Sequence, residues 1–147
     1  VMDTWALVMK IFFGVTPLNY AMVGRWLGHM PGGQFAHNNI ANASRISGEL
    51  IIGWIAHYIV GVIFAGVLML VWGLTWARDP SFIPALLLGV ATVAAPFLIM
   101  QPCMGFGLAA SKTPSPNLAR FRSTIAHAAF GVGLFLSAWF VAQAISL

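Results

Sequence analysis

From Gly53 to Ala77 the chain runs 25 residues without a formal charge, and that run constrains the fold more than anything else in it. A helix needs about 20 apolar residues to cross the hydrocarbon core of a bilayer. Phe82 to Ala110 is equally free of charge, and Ser123 to Leu147 is apolar apart from His127 and scattered Ser, Thr and Gln. The three runs predict three spanning helices. Pro84, Pro96 and Pro102 are expected to bend or end the second, because each removes a backbone donor. Composition excludes a water-soluble fold: 60% of the 147 residues are hydrophobic, only 7% are charged and the mean hydropathy is +0.89. Soluble domains carry roughly 25% charged residues.

The stretch from Val1 to Val15 is shorter and is interrupted by Asp3 and Lys10. It opens without a methionine, so the expectation is a helix whose earlier turns precede Val1. A signal peptide is the poorer reading, since no basic region leads the apolar run and no clean small-residue cleavage site follows it. With this stretch as a fourth crossing, the sequence predicts an all-α, polytopic membrane protein. It would be a four-transmembrane-helix bundle in a single domain, with helices at about 1 to 16, 52 to 77, 82 to 109 and 122 to 146. Alternating crossings put Lys10, Arg25, Arg45, Lys112, Arg120 and Arg122 on one side and only Arg78, offset by Asp79, on the other. The positive-inside rule then places both large loops in the cytoplasm and both termini in the periplasm of a bacterial inner membrane, with Trp72, Trp76 and Trp139 near the outer interface. The net charge of +4 reflects topology and anionic lipid and calls for no nucleic acid.

Within this frame Asp3, His57 and His127 all fall on the order of 7 to 11 Å inside the cytoplasmic boundary, at about 1.5 Å of rise per residue. Gln101, Cys103 and Met104 reach a similar depth on the third helix. Ionisable groups inside a membrane are functional by default. Asp3, His57, Gln101 and His127 therefore form the leading candidate site, with His29, His37 and Met104 as secondary candidates. One carboxylate, two imidazoles and an amide would make a first shell for a divalent metal such as Zn, Fe or Mn, built from facing helices of a bundle. No HxxxH or ExxH pair supports that reading. Two axial histidines on a haem are a second option, less favoured because Asp3 and Gln101 would then lack a role. Proton or ion relay is a third. Against all of these stands plain interhelical hydrogen bonding, worth about 1 kcal/mol per contact.

The loop from Thr16 to Ile52 holds an amphipathic stretch, Leu18 to Met30. Tyr20, Met22, Val23, Trp26, Leu27 and Met30 line one stripe and Arg25 stands away from it, which predicts an interfacial helix in the first cytoplasmic loop. His29 and His37 read either as ordinary surface histidines or as a cap on the polar layer. In the second loop Pro114 and Pro116 predict an extended connector. Its Ser111, Lys112, Arg120 and Arg122 are suited to an anion such as a lipid headgroup. Small residues at Gly53, Gly61 and Ala65, and at Ala129, Gly133 and Ser137, allow close helix contact, within the bundle or with a second copy or partner membrane subunit. The single Cys excludes an internal disulfide, and no nucleotide-binding or nucleophile-elbow motif is present.

Several segments in one order carry a family likeness. They are Met2-Asp3-Thr4-Trp5, Val23-Gly24-Arg25-Trp26-Leu27-Gly28-His29, Gly53-Trp54-Ile55-Ala56-His57-Tyr58, Ala95-Pro96-Phe97 with Met100-Gln101-Pro102, Gly105-Phe106-Gly107 with Ala110-Ser111-Lys112-Thr113-Pro114, and Ala126-His127 with Phe130-Gly131. Together they resemble a bacterial integral-membrane family catalogued as domain of unknown function 2938, across essentially the whole chain. The resemblance implies a small four-helix inner-membrane protein with additional helix upstream of Val1. It implies no activity, so it assigns no catalytic residue. The functional expectation is a small membrane protein that holds a metal ion or small polar ligand at a cytoplasm-facing site. The alternatives are a non-catalytic accessory or scaffold subunit and a proton-linked carrier.

Overall fold

The computed structural model describes residues 1–15 and 18–145, and among them the regular structure is entirely helical. The predicted helix ends at 16 and 146 lie outside the described residues. The first helix, α1 (Met2–Phe13), carries Asp3 in its first turn and Lys10 in its last, each matched to the helix dipole. Gly14, at φ 62°, closes it in the left-handed conformation that favours glycine. Helix α2 (Tyr20–His29) starts where the Asn19 side chain accepts the Ala21 N–H. Helix α3 (Glu49–Arg78) is 30 residues long, with one non-helical residue, Gly73, near its end.

Helix α4 (Phe82–Ala91) tolerates Pro84 because first-turn N–H groups have no partner within a helix anyway. The other two prolines do reshape the chain. A π-helical turn at Pro96–Met100 leads into the short α5 (Gln101–Cys103), and the Gln101 N–H reaches back five residues to the Pro96 carbonyl. Gly105 and Gly107, at φ 91° and 75°, then turn the backbone. The helix predicted to reach residue 109 therefore stops at Cys103, and Leu108–Ala110 forms a separate 3-10 turn. The connector predicted to be extended is shorter than expected, because α6 (Pro116–Ile145) already begins at Pro116. Proline suits a first helical position, where its missing N–H costs nothing.

Among the described residues three segments are long and apolar enough to cross a membrane: Glu49–Arg78, Phe82–Cys103 and Pro116–Ile145. With 12 residues, α1 extends only about 18 Å against a hydrocarbon core of about 30 Å. Burial is inverted relative to a water-soluble protein. Leu70 is 86% exposed and Leu74 70%, whereas Arg25 is 7% exposed. Lipid is the solvent that accepts such a surface.

The chain forms two compact units, and α3 and α6 each contribute to both. The first comprises residues 1–15, 62–93 and 121–145. Its core is Leu68, Trp76 and Ala85, with Met69, Leu88, Leu134, Phe135 and Ala138 packed around them. Trp76 is buried there, and its indole N–H donates to the Ser81 carbonyl at 3.1 Å in the connection between α3 and α4. Gly89 of α4 and Gly131 of α6 meet backbone to backbone, and a Cβ on Gly89 would lie 2.5 Å from the Gly131 Cα. That contact falls outside the small-residue steps expected on α6, although Gly133 does pack against the Val1 side chain.

The second unit comprises residues 18–61 and 94–120. Here α2 lies directly on the start of α3, with Gly24 against the Glu49 carbonyl and Gly53 against the Tyr20 carbonyl. Neither position has room for a side chain. Arg25, expected to face away from the packed stripe, is buried together with Val23 and Gly24 because Glu49 neutralises it. A Gly53→Ala variant is expected to lose about 1 to 3 kcal/mol of stability to overpacking. Gly66→Ala, where a Cβ meets nothing within 4 Å, should be neutral or slightly stabilising as an ordinary helical substitution. Thermal unfolding in detergent, followed by size-exclusion profiles, distinguishes the two.

Candidate functional site

The four leading sequence candidates divide between the units. Asp3 and His127 belong to the first, His57 and Gln101 to the second. Among the described residues no three His, Cys, Asp or Glu side chains form a group that could hold a metal ion. Asp3 sits half-buried in the first turn of α1. His127 has its Nδ1 at 2.8 Å from the Thr92 hydroxyl, which itself donates to the Gly89 carbonyl. With the hydroxyl proton directed at Gly89, this arrangement suits a His127 Nδ1–H that donates to the Thr92 oxygen. His57 is part of an aromatic group with Tyr20, Trp54 and Tyr58. Its Nε2 lies 3.4 Å from the Tyr20 hydroxyl, and the Tyr20 and Trp54 ring centroids are 4.1 Å apart.

Gln101 is the candidate that stands out. Its side chain is buried, yet among the described residues its Oε1 has no hydrogen-bond partner. One other buried side-chain atom shares that condition, the Nδ1 of His37. His37 is in the same unit, and its backbone N–H donates to the carbonyl of Cys103, two residues beyond Gln101, at 2.7 Å. Two buried side-chain atoms without a partner among the described residues thus occur in the second unit, one on the first loop and one on α5. Unsatisfied buried polar atoms are rare in folded proteins, and each calls for a specific account.

The loop is held there by Arg25. Its Nε and one terminal nitrogen grip Glu49 at 2.8 and 2.9 Å, a two-pronged pair with good geometry. The other terminal nitrogen donates to the carbonyls of Ile40, Ala41 and Ala43 at 3.1, 3.2 and 3.4 Å. Glu49 also accepts the Ile46 N–H. Ile40 is completely buried, and its N–H donates to the carbonyl of Met104, itself 1% exposed. The secondary candidate Met104 accordingly sits in the packed interior beneath the loop. Gly105 touches the carbonyls of His37 and Asn38, so a side chain there would push the loop away.

Histidines form the rest of the site. His37 Nε2 lies 3.1 Å from His29 Nδ1, which is also 3.0 Å from Gln34 Oε1, while His29 Nε2 lies 3.0 Å from the Ser44 carbonyl. The Trp26 indole donates to the Phe35 carbonyl at 2.8 Å and fixes the start of the loop. Beside His37 an open polar cleft of about 300 Å³ is lined by Gln34, Asn38, Asn39 and Asn42 among others. Burial, and then the neighbouring His29, push the His37 pKa below its ordinary value. Arg120 donates to the Ala109 carbonyl at 2.8 Å and to Asn117 at 3.1 Å, clasping the turn in which Ala109 and Ala110 adopt positive φ. Ser111, Lys112 and Arg122 are exposed.

Sequence reasoning missed the Arg25 to Glu49 pair, although Glu49 is the chain's only glutamate and stands just before the uncharged run. It gave His37 only a secondary place, since an orphaned ring nitrogen has no signature in a sequence. The chain belongs to the family described as "Protein of unknown function (DUF2938)", whose profile matches residues 1–141. No curated protein and no solved structure matches it.

Two outcomes follow from this geometry. Arg25→Met leaves Glu49 and three loop carbonyls without their donor, so it should destabilise the protein more than Arg78→Met does, as read by thermal unfolding. For His37 the sign is set by its lowered pKa: below about pH 6.5 the unfolded chain binds a proton that the folded site resists. Stability should fall as pH drops from about 6.5 toward the lowered folded value, and His37→Gln should lack this component. A set of melting curves between pH 7.5 and 5 checks it.

Proposed function

We propose that this protein is a small bacterial inner-membrane protein whose first large loop forms a cytoplasm-facing site for a small polar ligand that donates hydrogen bonds. The observation that carries this reading is the pair of buried acceptors, His37 Nδ1 and Gln101 Oε1. With both rings of the histidine pair neutral, His29 donates from Nε2 to the Ser44 carbonyl, and its Nδ1 accepts from His37 Nε2 and from the Gln34 amide, which then turns its nitrogen to the ring in place of the Oε1 at 3.0 Å. The proton count then leaves His37 Nδ1 as a bare lone pair. A carbonyl oxygen and an imidazole lone pair together call for donors, such as those of a small amine, amide or hydroxyl compound. A metal ion is less favoured, because these atoms supply two ligands where a structural zinc takes four.

The cytoplasmic assignment rests on charge and does not depend on α1. The segments before α3 and after α5 lie on one side of the membrane whenever α3 and the Phe82–Cys103 span both cross. That side carries Arg25, Arg45, Lys112 and Arg120, and the α3 to α4 connection carries Arg78 beside Asp79. On this topology α2 lies at the inner interface, α1 completes a four-helix bundle and Asp3, His57 and His127 serve as interhelical contacts.

Native mass spectrometry of protein released from mild detergent, with elemental analysis alongside, tests the proposal. The expected result is a bound non-lipid small molecule on the wild type that is lost from Gln101→Leu, a variant that removes one acceptor at nearly constant volume. A wild-type protein carrying only lipid and water would overturn the reading and favour an accessory subunit.

A further inference from the structure

The histidine pair can do more than fill the loop. His29 has an oxygen acceptor at each ring nitrogen, Gln34 Oε1 at 3.0 Å and the Ser44 carbonyl at 3.0 Å, an arrangement that suits a doubly protonated ring. His37 is nine-tenths buried and its Nδ1 has no partner among the described residues, whereas the contacts of His29 lie at the exposed rim. One bond of 3.1 Å, between His37 Nε2 and His29 Nδ1, links the two rings. A seat for positive charge near water is therefore wired to a lone pair in the interior.

We propose that His29 and His37 form a two-ring proton relay, in which a proton accepted at the buried His37 Nδ1 appears as positive charge on His29. The transfer balances without any other reactant. An N–H bond forms at His37 Nδ1 as the N–H bond at His37 Nε2 breaks, and that proton forms a new bond to His29 Nδ1. His37 ends neutral in its other tautomer. His29 ends as imidazolium, donating from Nε2 to Ser44 and from Nδ1 to Gln34 and to the now bare His37 Nε2. Charge thus avoids the buried ring, which burial disfavours, and rests where two oxygens receive it.

Other charged and titratable groups occur on the elements packed against the loop. They are Arg25 on α2, Glu49 on α3, Arg45 in the loop itself and Cys103 at the end of α5. Arg25 and Glu49 are paired with each other, and Cys103 contributes its carbonyl to the His37 N–H. None of these contacts intervenes between the two rings. The proton comes from water in the open cleft beside His37, and the inference rests on the proposed ligand site only for its consequence there. There it adds a rule: a ligand held at His37 Nδ1 competes with a proton, so acidification releases it.

Nitrogen NMR of protein carrying 15N-labelled histidine, in micelles and without added ligand, tests the relay separately from the ligand. Four histidines contribute, and single His→Gln variants assign them. As pH is lowered, the His37 Nδ1 signal should change from unprotonated to protonated, and the Nε2 signal the reverse, at the same midpoint at which His29 gains its second proton. In His29→Gln the tautomer change of His37 should vanish. The relay is overturned if His37 becomes doubly protonated itself, if the two rings titrate at separate midpoints, or if the His37 tautomer stays fixed. The wild-type titration decides even where the His29 variant does not fold. Failure to find a bound small molecule would sink the ligand proposal and leave this result intact.

Discussion

The second unit depends on one ion pair. Arg25 and Glu49 are 24 residues apart in sequence, yet their side chains meet in two parallel hydrogen bonds, and the remaining guanidinium nitrogen takes up three carbonyls of the loop between them. A loop as polar and glycine-rich as residues 31 to 48 has little apolar surface to bury. Its order comes from backbone groups that find donors and acceptors: Arg25 from one side, and the backbone of Cys103 and Met104 from the other. Pairs of this kind are expensive to break because the abandoned partner stays buried. Holding the loop in place is also what strands His37 Nδ1 and Gln101 Oε1 away from water.

Glycine makes that arrangement sterically possible. Gly24 and Gly53 let α2 approach α3 to backbone contact, which brings Arg25 within reach of Glu49 at the foot of α3. Gly105 does the same for the loop over α5. In the first unit Gly89 and Gly131 play the corresponding part between α4 and α6, beside the Thr92 to His127 hydrogen bond. Small residues are the usual means of close helix approach in a membrane, where the hydrophobic effect between helices is absent.

Much of the helical framework was legible in the residues. The uncharged runs at Gly53 to Ala77 and Phe82 to Ala110 and the apolar run beginning at Ser123 mark the three long segments, because the absence of charge is a local property. Pro96 and Pro102 announced the distortion now seen as a π-helical turn. Pro116 misled for the opposite reason: two prolines in three residues read as extended chain, but a proline at a first helical position is pre-set for helix. The site was harder to see. Placing Arg25 on a polar face was sound by periodicity alone and wrong in the fold, since a partner 24 residues away carries no local signal. Depth along the helices drew attention to Asp3, His57 and His127. The orphaned atoms depend on how every donor and acceptor in the loop is paired, which leaves no local signal, and of the leading four only Gln101 is among them.

The measurement that bears most directly on this account is hydrogen exchange across residues 34 to 43 in the wild type and in Glu49→Gln. If the Arg25 pair clamps the loop to α5, the amides of His37 and Ile40 exchange slowly in the wild type, as helical amides do, and lose that protection in the variant. Exchange at the rate of an open loop in the wild type would contradict it, for then neither the clamp nor the buried acceptors beneath it would persist in the protein.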